Sequence, residues 1–443
     1  MRRLSSSTGI WLLLLASCAL ILAAGHGLNF RHDEWDVIQD RFHGGLSSFL
    51  EPLNEHLSLV PVAIYRVLFH TAGLDHYFWY RLVLVLLDAA CGYCIWVLLE
   101  RRIPAALAIG LTAVIVLCGA AYENFLFPIQ VGQVGSLLGG LAAWVALDRE
   151  SPRGATVLGA VAFALASSAI GVSVLIGVGV ELALRRRWLL LGGMGVLVML
   201  FLLWYADYGR SSGFTSVTSI PGFLAGLAAY TLTGTLGLWP LYHLSHGALI
   251  ATGMVLYVGL VGVAIAGGKL GWWGVEARRS VPRIAGLLTM LASYWLLVSV
   301  SRSGLTPYRS RYMEPGAIVF VLLAAELLGR HPPRITMRTL VAGCAAVVVL
   351  GVPYLWHNGG KYRLESQILS AELGTLERAQ SAPAGFQPAP AIDPQIKAGA
   401  LARAEHALSS HVGASVEAIS KMPGSAQDAA AALHRKLLGT PDP

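Results

Sequence analysis

Residues 77–99 read YFWYRLVLVLLDAACGYCIWVLL, an apolar run long enough to cross the hydrocarbon core of a bilayer as a helix. Similar runs recur from residue 10 to residue 355. Of the 443 residues, 55% are hydrophobic and 13% are charged, which is about half the charged share of soluble domains. A surface with so little charge must face lipid, which excludes soluble globular, disordered and fibrous proteins. We therefore predict an all-α, polytopic membrane protein.

The distribution of basic residues predicts the topology, because basic loops stay in the cytoplasm. Arg2 and Arg3 place the N-terminus inside, and the basic loops 268–283 and 330–338 lie inside only if 222–240 does not span. We therefore predict eleven spanning helices, with the N-terminus in, the C-terminus out and an outer or re-entrant segment at 207–247. The twelve candidate runs are 10–27, 77–99, 104–121, 131–148, 155–168, 170–184, 188–206, 222–240, 248–267, 284–300, 315–329 and 338–355.

Residues 1–357 are predicted to form the transmembrane domain, and residues 358–443 an outer, Ala-rich helical tail. A Pro-rich linker at 381–395 divides this tail. An apolar stripe at helical spacing precedes the linker and should pack on the membrane domain or on a partner. The stripe consists of Leu364, Ile368, Leu369, Leu373 and Leu376. The net charge of +7 is no sign of nucleic-acid binding, because the basic residues flank apolar runs.

The outer loop 27–76 is the most polar part of the predicted membrane domain. Asp33, Glu34 and Asp36 follow the first span, and adjacent carboxylates can act as a general base and its orienting group. Asp33 and Glu34 could also hold a divalent cation such as Mg²⁺ or Mn²⁺ through oxygen ligands. The alternative is a solvated loop with salt bridges to Arg31 and Arg41.

A short apolar helix follows in the same loop and should lie along the outer surface. Asn54, Glu55 and His56 precede it, and they either cap its first turn or point into an outer cavity. Arg66, on this helix, could face the same cavity.

Two further positions place polar groups at membrane depth. Glu123 and Gln130 flank Pro128 between two spans, where an acid is costly and is by default a functional hypothesis. A cap or a buried hydrogen bond is the alternative. Asp88, in the middle of a span, is either a structural hydrogen-bonding group or a proton site.

The loop between the spans at 284–300 and 315–329 carries Arg302, Arg309, Arg311 and Tyr312. Outer arginines run against the topology rule and suit bidentate phosphate binding. Headgroup anchoring, or pairing with the carboxylates of the loop 27–76, is the alternative. Carboxylates and guanidiniums at one face would fit an anionic, lipid-borne substrate on which a carboxylate acts.

The acidic run His32-Asp33-Glu34-Trp35-Asp36, the Asn54-Glu55-His56 segment, the Glu123–Gln130 turn and residues 309–312 resemble segments of GT-C integral-membrane glycosyltransferases. The resemblance covers residues 1–357. It implies transfer of a hexosyl or pentosyl group from a polyprenyl-phosphate donor to a glycan, lipid or protein of the cell envelope. The site would open outward from a bacterial plasma membrane. By the same resemblance, Asp33 is the general base, Glu34 or Asp36 supports it, and Arg302, Arg309 or Arg311 holds the donor phosphate.

Three other functions stay open. A lipid-linked glycan ligase or polymerase also uses outer arginines but does not need the acids at 33–36. A transporter or lipid flippase would place ionisable groups along a central path, where Asp88 is the candidate. A scaffold would recruit a partner through the helix predicted at 361–380.

Overall fold

The structure, a computed structural model, confirms the all-α class, with 82% helix and no strand among the residues it describes. These residues are 2–45, 47–53, 55–149, 151–209, 217–239, 245–269, 280–328, 334–378 and 396–437. The helices are α1 (Arg2–Ala24), α2 (Asp33–Arg41), α3 (Ser47–Leu50), α4 (Leu59–Thr71), α5 (Tyr77–Glu100), α6 (Ala105–Val116), α7 (Tyr122–Leu126), α8 (Val131–Leu147), α9 (Gly154–Ser167), α10 (Ile170–Leu184), α11 (Trp188–Tyr208), α12 (Ile220–Thr235), α13 (His246–Lys269), α14 (Val281–Arg302), α15 (Glu314–Leu328), α16 (Arg334–Arg378), α17 (Ala398–Leu408), α18 (Val416–Ser420) and α19 (Gly424–Leu437).

Seven helical segments within the described residues are long and apolar enough to cross a membrane. They fall in or across α1, α5, α6–α7, α8, α11, α14 and α16, and the chain also has shorter apolar helices such as α9 and α10. These segments support a multi-pass membrane protein. The count of eleven spans and the in–out orientation stay predictions.

The bundle is held together by close helix contacts at small residues. An added Cβ at Gly139 of α8 would meet the carbonyl oxygen of Ala160 at 2.5 Å, and one at Gly177 of α10 would meet that of Gly286 at 2.7 Å. Without side chains at these points, the helix backbones approach closely, which is how membrane helices gain packing energy. The short runs at 155–168 and 170–184 form the helical hairpin α9–α10.

The segment after α6 differs from a simple span. The helix ends at Val116, and the chain continues through short turns at Gly119–Ala121 and Pro128–Gln130, with α7 between them. Pro128, which lacks a backbone N–H, starts the second turn and separates α7 from α8. The irregular backbone is buried in protein, which is the condition for its stability at membrane depth.

Within the predicted outer or re-entrant segment 207–247, the described residues include the whole of α12. Phe223 and Leu227 of this helix pack on Tyr312, which lies in the loop before α15. Beside Gly316 in α15, Thr231 fills the space next to the glycine. These contacts place α12 at the end of the bundle that holds the 303–313 loop, called here the loop end. Residues 210–216 and 240–244 lie outside the described part of the chain.

The long helix α16 contains the predicted domain boundary. It runs unbroken for 45 residues from Arg334 to Arg378, so the boundary at 357–358 falls inside one helix. Residues 358–378 pack against the first loop, since Arg31 forms an ion pair with Glu365 at 2.8 Å and Asn29 donates to Ser370 Oγ at 2.8 Å. Leu369, Leu373 and Leu376 of the apolar stripe are buried, whereas Leu364 is 42% exposed. The linker 381–395 lies outside the described residues.

The opposite end of the bundle contains an ion-pair network that the sequence did not reveal. Arg283 of α14 donates to Glu181 Oε2 at 2.7 Å and to Asp148 Oδ1 at 2.9 Å, and its side chain is 3% exposed. Arg102 donates to both oxygens of Asp148, at 2.7 and 3.0 Å, and also contacts Glu326. In the sequence, Arg102 and Arg283 indicate only on which side of the membrane their loops lie. In the structure, both side chains connect the ends of several helices.

Candidate functional site

Asp33 begins α2 and faces the arginine loop. Its Oδ2 lies 4.0 Å from Nη1 of Arg311, and its side chain is 23% exposed, so it is paired yet still accessible. The preceding residue, His32, has a φ of 50°, a conformation that costs energy for a non-glycine residue. The first predicted acid and one of the predicted phosphate-binding arginines are therefore neighbours, although 278 positions separate them in the sequence.

Glu34 points the other way, into the protein. Its carboxylate accepts hydrogen bonds from Tyr65 Oη at 2.6 Å, Tyr77 Oη at 2.9 Å and the backbone N–H of Arg31 at 3.0 Å. Complete burial raises its pKa to about 8, although the two tyrosines and Arg31 lower it in part. Glu34 thereby fixes the start of α2 against α4 and α5, which sets the position of Asp33.

Glu123 fixes the other side of the site. Its Oε2 accepts a hydrogen bond from the backbone N–H of Arg311 at 3.2 Å, and its own N–H donates to Ser310 Oγ at 2.9 Å. The adjacent Asn124 donates to the carbonyl oxygen of Arg311 at 3.2 Å and to Glu314 Oε2 at 2.6 Å. The costly acid at membrane depth is therefore explained by its contact with the arginine loop, which it holds in place.

A cavity of about 390 Å³ lies at the loop end, within the usual size range of ligand pockets. Part of its wall is polar and is formed by Glu55, His56, Gln133, Arg302 and Tyr312. Much of the rest is apolar and aromatic, with contributions from Phe201, Trp204, Tyr205, Tyr294, Leu297 and Val298. Four of the predicted site residues thus meet in one cavity: Glu55, His56, Arg302 and Tyr312.

Glu55 and His56 reach this cavity from a tight turn. The backbones of Leu53 and His56 exchange two hydrogen bonds of 3.0 Å, and Glu55 between them has a φ of 70°. The predicted capping role does not fit, because α4 begins only at Leu59. Asn54 lies outside the described residues.

The lowered pKa of His56 indicates an excess of positive charge around its side chain. Burial, and then the positive charges of Arg302 and Arg311, lower its pKa to about 4, and only Glu55 opposes them. His56 is therefore neutral at pH 7, in a field that would attract an anion.

The remaining predicted site residues lie around this centre. Arg66 does not line the cavity, since its guanidinium donates to the carbonyl oxygens of Arg41 and Gly44 and stacks on the ring of Phe49. Arg66 therefore attaches α4 to the segment that joins α2 and α3.

Other predicted residues also lie outside the cavity lining, among them Asp33, Glu34, Glu123 and Arg311, whose contacts are described above. Gln130 is buried in the turn before α8, one helical turn from Gln133, which does line the cavity. Arg309 is exposed, and Asp36 is half-buried on α2.

Sequence reasoning missed the aromatic wall of α11. Phe201, Trp204 and Tyr205 lie near the C-terminal end of α11 and line the cavity. Most other side chains of this helix are not buried, since only 6% of the residues in its apolar segment are buried inside the protein. Trp204 donates to the carbonyl oxygen of Leu50 at 2.7 Å, which connects this wall to the first loop. Three aromatic residues within five positions at the end of a span were the available signal, and they read equally well as an interfacial belt.

A two-carboxylate metal site at Asp33 and Glu34 would require rearrangement, because the tyrosines and the Arg31 N–H already occupy the Glu34 oxygens. The three-residue group with metal-ligand spacing in the described chain lies elsewhere, at Glu377, Glu405 and His411.

Comparison of the chain with family models, with curated proteins and with solved structures found no match. The GT-C resemblance therefore stays a prediction, and the argument for function depends on the site itself.

Proposed function

We propose that the protein is a membrane glycosyltransferase that uses a polyprenyl-phosphate sugar donor at the loop end, taken as the outer face. The observation that carries the proposal is the mixed lining of the cavity, which combines the guanidinium of Arg302 and other polar groups with apolar and aromatic side chains. A phosphate joined to a prenyl chain and a sugar has this combination of charge and apolar surface. The orientation follows from the predicted eleven-span topology.

The chemistry would divide between two sets of residues. Asp33 would take the proton from the acceptor hydroxyl while the hydroxyl oxygen bonds to the anomeric carbon of the sugar. The bond from that carbon to the phosphate oxygen breaks, and the phosphate keeps the electron pair. Arg302 and Arg311 would stabilise the resulting charge. The distance of 4.0 Å between Asp33 and Arg311 supports base and phosphate acting side by side.

The test is complementation of a deletion strain, followed by mass spectrometry of its cell-envelope glycans. Asp33→Asn is expected to lower the product at least about a hundredfold, because it removes the base without changing the shape of the side chain. Asp40→Asn, at an exposed position on the same helix α2, is the matched control and should restore the product. Normal product from the Asp33→Asn variant, at equal protein level, would overturn the role of Asp33. No glycan difference in the deletion strain would overturn the transferase proposal.

A second candidate, a proton-coupled flippase of a lipid-linked substrate, is favoured by one observation. Asp88 of α5 is 2% exposed, its Oδ1 has no hydrogen-bond partner among the described residues, and it lies within electrostatic range of Glu314. Buried acids in a membrane domain are typical of proton pathways. In vesicles, Asp88→Asn would then abolish lipid translocation while Asp33→Asn leaves it unchanged, which is the reverse of the pattern expected for the transferase.

A further inference from the structure

A second group of reactive side chains lies in the tail, away from the cavity. Glu377 near the end of α16, Glu405 on α17 and His411 just after α17 place their ligand atoms within 4.8 Å of one another. Nδ1 of His411 is 4.0 Å from Oε2 of Glu377. The group thus combines one imidazole nitrogen with two carboxylates that come from separate helices.

Backbone hydrogen bonds orient both glutamates. The N–H of Gly413 donates to Oε1 of Glu377 at 2.6 Å, and the N–H of Val412 donates to Oε1 of Glu405 at 3.1 Å. Each carboxylate therefore has one oxygen held by the tail turn, and the two carboxyl groups also contact each other. Such outer contacts are what orient the ligands of a metal ion.

Two carboxyl groups meet in this group, and either a shared proton or a bound cation relieves their repulsion. Glu405 is only 6% exposed and sits beside a second carboxylate, which is costly for two negative charges. Among the described ion pairs, Glu377 has His411 as its partner, and neither glutamate is paired with a lysine or arginine. His411 itself is 72% exposed, so an ion could enter from solvent.

We propose that Glu377, Glu405 and His411 bind a divalent transition-metal ion, with Zn²⁺ preferred over Mg²⁺ and Ca²⁺. Imidazole and carboxylate together suit Zn²⁺, which takes three protein ligands and leaves a fourth position for water. Mg²⁺ and Ca²⁺ prefer oxygen ligands alone. The present spacing is wider than a closed tetrahedral site, so the exposed His411 side chain moves inward when the ion binds.

The ion would stabilise the contact between the tail and the first loop. Asp75 Oδ1 accepts hydrogen bonds from Ser410 Oγ at 2.9 Å and from the N–H of His411 at 2.6 Å. The metal-binding turn is thereby attached to the loop that also carries Asp33. This role does not depend on the proposed transferase reaction, because the site is built from residues outside the cavity.

The test uses the purified full chain in detergent, stripped with EDTA and titrated with Zn²⁺, with Mg²⁺ and Ca²⁺ in parallel. Bound metal is measured by equilibrium dialysis, and the unfolding temperature is followed at each concentration. One Zn²⁺ per chain should bind saturably and raise the unfolding temperature, because an ion that binds the folded state stabilises it. Mg²⁺ and Ca²⁺ should bind at least about tenfold more weakly.

His411→Ala carries the test, because the residue is exposed and its removal should leave the fold intact. It is expected to weaken Zn²⁺ binding at least about tenfold, and Glu377→Gln should do the same. His406→Ala removes another exposed tail histidine and should leave binding unchanged. Equal loss in His406→Ala and His411→Ala, or no saturable binding to the unaltered chain, would overturn the proposal. Absence of saturable binding would mean that Glu377 and Glu405 share a proton and hold no metal ion.

Discussion

The two ends of the helix bundle differ in how their charges are balanced. At the end opposite the loops, Arg102 and Arg283 each contact two of the three carboxylates of Asp148, Glu181 and Glu326, so every buried charge in this network has a partner. At the loop end, burial and then the charges of Arg302 and Arg311 lower the pKa of His56, and Asp33, the acid in ion-pair range of Arg311, is 4.0 Å away and partly exposed. A matched network stabilises structure, whereas an unmatched one beside a cavity is suited to a charged ligand.

The largest expected effect comes from breaking the matched network. Asp148→Asn leaves the guanidiniums of Arg102 and Arg283 buried without their shared carboxylate, and we expect the free energy of unfolding to fall by about 3–5 kcal/mol. Unfolding in mixed detergent micelles measures the change. Asp207→Asn, at an exposed position of α11, should change it by less than about 0.5 kcal/mol. Equal stability of the two variants would show that the network contributes little.

The next largest effect is expected from removal of a positive charge at the loop end. Arg302→Ala should lower glycosyl transfer by about 10²–10³-fold while unfolding stays near that of the unaltered chain, because its charge acts on the ligand. Arg309→Ala, at an exposed position outside the cavity lining, is the matched control and should cost less than about tenfold. Reversal of this order would move the phosphate site to the outer surface of the loop.

The pH dependence of stability tests Glu34. Its pKa is about 8 in the folded chain and near 4.5 when unfolded, so the folded state retains a proton that the unfolded state loses. The free energy of unfolding should therefore fall as the pH rises from 4.5 to 8, by up to about 1.4 kcal/mol per pH unit. Glu34→Gln, which mimics the protonated carboxyl, should flatten this dependence between pH 5.5 and 7.5. Glu417→Gln in the exposed tail should keep the slope unchanged.

The smallest expected effect is a shift in the titration of His56. Removal of the positive charge in Arg302→Ala should raise its pKa from about 4 by about one pH unit, measured by NMR of labelled histidine. Arg302→Lys keeps the charge and should leave the pKa near its starting value. A His56 pKa that does not respond to either change would mean that burial alone lowers it.

The sequence predicted the membrane class and the residues of the cavity's polar wall better than it predicted their partners. Hydrophobic run length and arginines on the outer side are local signals, so α5 and Arg302 could be recognised directly. The meeting of Asp33 with Arg311, or of Arg102 with Asp148, depends on how distant helices pack. Glu34 and Asp33 are adjacent in sequence, yet one is buried against tyrosines and the other faces the arginine loop, which only the direction of α2 decides.

The predicted boundary at 358 falls inside a helix for a related reason. Composition becomes more polar there, but a helix can continue without interruption when its new surroundings supply polar contacts. Arg31, Asn29 and the tail provide such contacts for the second half of α16.

The length of α16 also means that a small tilt of this helix displaces its far end by several ångströms. At about 1.5 Å per residue, its 45 residues span about 68 Å, more than twice the thickness of a bilayer's hydrocarbon core. Near its middle, a Cβ on Gly119 would clash with the carbonyl oxygen of Gly351, so the two backbones are in close contact there and can act as a pivot. From that pivot, a tilt of about 5° moves the far end by about 3–4 Å. A rearrangement of the bundle around a bound substrate would thus be amplified at the tail.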